Sequence, residues 1–252
     1  LPAALPDPNQ CECLDALASF EDMRRQLENR LKMQPNGLLL VIVSPSCPWG
    51  PEWVLKADRF LQSRTAHSKI LRLLFIGDPG TAWSWTSATP VTHSELAEQE
   101  VLVHSLKPWT DAAVQRWLDD AGFGPIGDPH GRARLREVTG NWWTLLHHLG
   151  EQCRAAAASQ WEVYLKAIDA ELTPSGRWSD CFGFVPDVLP VLQTMAILNE
   201  PATAVDIAGL MADVPVEHVE RVIRWCELLA FAGPLDKHRW TLDPIVRRMV
   251  PS

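Results

Sequence analysis

Few side chains in this sequence stand at spacings that perform chemistry. A phosphate-binding loop needs consecutive backbone N–H groups and a lysine, and no G-x-x-x-x-G-K-[ST] occurs among the 252 residues. No G-x-G-x-x-G follows an apolar run either. Gly77-Asp-Pro-Gly80 does follow one, but Pro79 lacks the N–H that a phosphate nest requires, which favours a plain turn. His147-His148 and Cys153 fall on a helical pattern, at a spacing that matches no zinc site. One of the two histidines is expected under Trp142 or Trp143, the other facing solvent. Cys11-Glu-Cys13 is the one close cysteine pair, and no second pair follows at zinc spacing, so no metal site is expected. Ser44, Ser46 and Cys47 have no predictable histidine to activate them as nucleophiles.

What remains is recognition chemistry. Trp49, Trp53, Trp83 and Trp85 fall in or beside expected loops and could form an exposed aromatic patch for a partner. Lys237 and Arg239 with Arg247 and Arg248 make a small basic cluster near the end, joined by Arg221 and Arg224 on a preceding helix.

The elements that must position these groups follow from periodicity. Residues 14–33 place Leu14, Leu17, Phe20, Met23, Leu27 and Leu31 on one helical face. Leu38 to Val43 is an apolar run without alternation, which suits a strand covered on both sides, as in a parallel sheet. A helix over 52–64 and a second strand over 69–76 complete a right-handed strand–helix–strand crossover. Residues 81–99 read as a loop and a short helix, and 101–106 as a third strand. Thr110 is placed to cap a helix carrying Val114, Trp117, Leu118 and Ala121. Gly122 and Gly124 end it, 125–131 connects, and helices follow from about 131 and over 159–172. The last 65 residues give three helices, a hairpin around 236–238 and a closing helix from Pro244, the order of a winged helix-turn-helix.

Composition bounds the class. With 46% hydrophobic residues a core is assured, and no run approaches the ~18–20 apolar residues that span a bilayer. Six cysteines scattered over the chain suit free thiols in a reducing cytoplasm, and residues 1–13 read as a linker, not a signal peptide. The chain opens at Leu1, which suggests a fragment or a processed piece. A net charge of −8 opposes non-specific phosphate binding.

The succession of motifs resembles the rear of AAA+ and STAND-type P-loop ATPases. Val101-Leu-Val-His-Ser-Leu-Lys-Pro-Trp-Thr-Asp-Ala-Ala-Val-Gln-Arg-Trp-Leu118 looks like the entry to their helical lid. Leu135-Arg-Glu-Val-Thr-Gly-Asn-Trp-Trp-Thr-Leu-Leu146 resembles the lid phrase Thr-Gly-Gly-x-Pro-x-x-Leu, and a winged helix directly after such a lid is typical of that family. The resemblance implies an α/β fold followed by all-α: a partial, parallel-sheet P-loop-NTPase-like core over 14–107, a helical lid bundle over 108–180 and a C-terminal winged helix over 181–252. Asp78, Arg132 and Arg134 then become nucleotide-sensor candidates. The Walker B position falls at Ser44-Pro-Ser46, with no acid before Glu52 to help hold Mg²⁺. The chain is therefore expected to be catalytically incompetent and to need no cofactor. The resemblance implies ATP and Mg²⁺ only for an intact protein, if a P-loop stands upstream of residue 1.

Two competing readings remain. Val41-Ile-Val-Ser-Pro-Ser-Cys-Pro-Trp-Gly-Pro-Glu52 is similar to a phrase of TIR domains, some of which cleave NAD, and this would make Glu52 a catalytic acid. A winged helix suggests a DNA-binding regulator. On the third helix, however, Glu217, Glu220 and Glu227 outnumber Arg221 and Arg224, which opposes phosphate contact. The expected role is thus regulatory or scaffolding through a protein partner, with no membrane, as in bacterial signalling or phage defence.

Overall fold

The computed structural model describes Arg25, Asn29 and residues 38–44, 71–86, 107–155, 158–174, 176–198, 200–236 and 238–251. Two strands, β1 (Leu38–Ser44) and β2 (Leu71–Gly77), pair in parallel, in a register that sets Leu38 opposite Leu71 and Ser44 opposite Gly77. Helix α1 (Pro79–Thr86) follows directly. The expected helix over 52–64 and the strand over 101–106 lie outside the described residues, as does all but Arg25 and Asn29 of the helix over 14–33.

This corrects the expected fold class. The described chain is mostly helical, its hairpin is antiparallel, and the α/β, parallel-sheet P-loop-NTPase-like core is not the architecture observed. The apolar runs do form strands, but among the described residues only these two join in their sheet, short of the three or more that make a stable layer. The described core cluster runs from Val114 onward and is built by helix-on-helix contact.

The helical body begins with α2 (Asp111–Ala121), where the Thr110 side chain accepts from the Ala113 N–H at 3.2 Å. Gly122, at φ 71, stops it. Next is α3 (Pro129–Thr139), started by Asp128, whose carboxylate accepts from Gly131 N–H at 2.6 Å, with Pro129 in its first turn. Helices α4 (Trp143–Ala155) and α5 (Trp161–Glu171) pack on each other through Leu145, Leu146, Leu149, Leu165 and Ile168, all nearly solvent-free. A short α6 (Arg177–Phe182) leads on.

The C-terminal elements are α7 (Leu189–Ile197), α8 (Ala204–Gly209) and α9 (Val216–Leu228), then β3 (Ala232–Pro234), β4 (Trp240–Leu242) and α10 (Pro244–Met249). Thr203 and Asp206 form a reciprocal capping box at the start of α8. The hairpin pairs Ala232 with Leu242, and Ala202 bridges to Trp240 on its open edge. On α9, Val219, Val222, Ile223 and Cys226 repeat at helical spacing and are buried, so this amphipathic stripe fixes which face remains outside.

One core runs from Val114 to Val250 without a break between the middle helices and the C-terminal unit. The turn Thr139-Gly140-Asn141 joins them. Gly140, at φ 55, ends α3, and a Cβ there would sit 2.7 Å from Ile245 Cγ1. Asn141 donates to Asp111 Oδ1 at 2.9 Å, and its carbonyl accepts from Trp109 N–H at 2.8 Å. The buried Trp142 donates its indole N–H to Asp243 Oδ1, 101 residues away.

Candidate functional site

Helix α1 covers one stripe of α9, the side of His218, Arg221 and Trp225, while Glu217, Glu220 and Arg224 stay exposed. Asp78 starts α1: its Oδ1 accepts from Thr81 N–H at 2.7 Å and from Thr81 Oγ1 at 2.8 Å, with Pro79 behind it. Gly77-Asp-Pro-Gly80 is thus a helix start where a turn was expected, and Asp78, expected as a nucleotide sensor, is a cap.

Three residues of α9, His218, Arg221 and Trp225, meet α1. The Arg221 guanidinium lies over the Trp83 ring, 3.7 Å from its centroid. Its Nε and Nη2 approach Thr86 Oγ1 at 3.3 Å and the Trp83 carbonyl at 3.4 Å. Trp225, fully buried, donates its indole N–H to the Pro79 carbonyl at 2.8 Å. His218 meets the edge of Trp83 at 6.0 Å between centroids, while its Nε2 lies 3.2 Å from the Asp187 carbonyl. Residues 218, 221 and 225 stand at i, i+3 and i+7, one stripe of one helix. Burial pushes the Arg221 guanidinium below its ordinary pKa and Arg224 adds to this, with Asp187 pulling the other way. Beyond the end of α1, Thr86, Arg224, Glu227 and Leu228 line an open cavity of about 260 Å³.

Two expected sites therefore meet. Trp83 belonged to a partner patch and Arg221 to a DNA-contacting set, and they pack on one another within the chain. Trp85 lies on the same helix, half-buried. Trp49, Trp53, Glu52 and Lys237 lie outside the described residues.

The other basic candidates do not assemble into one surface. Arg239 bonds to Asp236 at 2.6–2.7 Å inside the hairpin loop. There the His238 backbone N–H and the Arg239 side chain hold the Asp236 carboxyl below the usual carboxylate range. Arg247 donates to Thr241 Oγ1 at 3.3 Å. Arg248 reaches Asp169 on α5, at 2.8 Å to Oδ1 and 2.9 Å to the backbone carbonyl. Arg224 alone of the described α9 candidates is exposed.

The lid sensor candidates are also engaged. Arg132 donates to Gln115 Oε1 across α2 and α3. Arg134 pairs with Glu137 at 2.6 Å and approaches Asp169 at 3.6 Å, and its hydrogen bond and charge contact with Glu137 raise its pKa further. Asp169 thereby collects Arg134 and Arg248, a sensor candidate and a DNA-contact candidate that no local spacing pairs.

The aromatic and thiol side chains sort by burial. Trp142 and Trp161 are buried, Trp117 is half-buried, and Trp143 keeps 46% of its surface exposed. Trp143 stacks on Trp109 at 4.9 Å and leans on the exposed His147 at 5.0 Å. His148 instead meets the edge of the buried Trp178, and Arg177 Nη2 lies 3.0–3.1 Å from both of its ring nitrogens. Burial, then the charge of Arg177, push the His148 pKa down. Cys153 and Cys226 are buried, and burial pushes both thiols up, Cys226 far above the usual thiol range. Among the described residues no three His, Cys, Asp or Glu side chains group as metal ligands do.

The chain matches no family model, no curated protein and no solved structure. Among the described residues no helix is long and apolar enough to cross a membrane.

Sequence reasoning missed the α1–α9 contact as a unit. One signal for α1 was legible: Asp-Pro opens three helices here, at Asp78-Pro79, Asp128-Pro129 and Asp243-Pro244. No local signal pairs Trp83 with Arg221, since 138 residues separate them.

Proposed function

We propose that this chain is a regulatory or scaffolding module that acts through protein–protein contact in the cytoplasm and performs no catalysis itself. In this reading it is the rear of a STAND- or AAA+-like protein, of the kind that serves bacterial signalling or phage defence. The observation that carries the reading is the seating of α1 on α9. A helix face that would otherwise meet a partner is held by the chain's own upstream helix, through Arg221 over Trp83 at 3.7 Å. Such a contact couples the β1–β2–α1 segment to the helical body, which is the kind of connection through which a regulatory module passes a signal. Asp78, Arg132 and Arg134 support the same reading, since each is committed to a structural bond.

The DNA-binding alternative needs several arginines on one face, free to meet phosphates. Arg221 is covered, Arg239 and Arg248 are paired with carboxylates, and Glu217 and Glu220 stand exposed on α9. A gel shift with duplex DNA at ~50 mM salt tests this, because phosphate contacts are strongest there and weaken steeply with added salt. The expected result is no shift. A shift that disappears by ~200 mM salt would replace the protein-contact reading with the DNA one.

A further inference from the structure

We draw no further inference here: the strongest candidate, the aromatic surface patch at the start of α4 where the exposed Trp143 stacks on Trp109 and leans on His147, carries nothing because nothing in the structure shows what covers it.

Discussion

Replacing Asp243 tests whether a single carboxylate joins the middle helices to the C-terminal unit. Its Oδ1 accepts from Ile245 N–H at 2.9 Å and Val246 N–H at 3.3 Å, which begin α10, and from the Trp142 indole at 3.2 Å. Asp243→Ala removes all three. Loss of an N-cap costs about 1 kcal/mol. The Trp142 indole N–H, on a side chain only 8% exposed, is then left without its acceptor, which costs about 1–3 kcal/mol more. Together these predict a loss of about 2–4 kcal/mol. Asp243→Asn keeps the accepting oxygen and is an equally good cap, so it should stay within about 1 kcal/mol of the unaltered chain.

The pH dependence of that comparison has a definite sign. Burial pushes the Asp243 carboxyl above the usual carboxylate range, while the Trp142 indole and the two backbone N–H groups pull it down less strongly. A carboxyl with a raised folded-state pKa opposes folding while ionised, and this opposition is lifted as pH falls through the folded value. The stability of Asp243→Asn relative to the unaltered chain should therefore be greatest near neutral pH and shrink in acid. Urea titrations followed by tryptophan fluorescence, run near neutrality and near the carboxylate range, measure both effects. A loss below about 0.5 kcal/mol for the Ala variant would refute the joint, given its three lost bonds. Equal losses for Ala and Asn would show that the oxygen is not what matters.

Two further perturbations follow from the same structure. Gly140→Ala must hold φ at 55° and place a Cβ 2.7 Å from Ile245 Cγ1, so urea unfolding should show a loss of about 2 kcal/mol or more. Gly233→Ala, with nothing within 4 Å, should stay within about 0.5 kcal/mol. His148 has its pKa pushed down by burial and then by Arg177, with Glu171 pulling up and His147 adding to the fall. A base depressed in the fold loses stability as pH falls from the ordinary value of 6.5 toward its folded value. His148→Gln should flatten that part of the stability–pH curve, and an unchanged curve would refute the assignment.

Local pattern sufficed for much of the helical body. Thr110 caps α2 as its residue type and position require, and Gly122 ends it in the left-handed conformation. The apolar stripe of α9 and the start of α10 at Pro244 were legible for the same reason: spacing of 3.6 and cap chemistry are properties of consecutive residues. Asp78-Pro79 and Asp128-Pro129 carried equally local helix-start signals, but the turn preference of Pro and Gly masked them. Two apolar runs became strands and pair in parallel, yet among the described residues no further strand joins them to make the expected α/β core. A layer depends on how many strands meet, and that count is not written in either run.

What tertiary structure decided was the pairing of distant groups. Arg221 and Trp83 were each readable as surface residues, and both readings were reasonable for a residue considered alone. Packing set them 3.7 Å apart and turned two expected binding patches into one internal contact. Asp169 likewise drew in Arg134 and Arg248 from separate helices. The sequence by itself determined helix limits, caps and buried stripes, because those energies arise within a turn or two of chain. Which exposed face is covered, and by what, depends on side chains 80 to 140 residues apart, whose attraction no local spacing records.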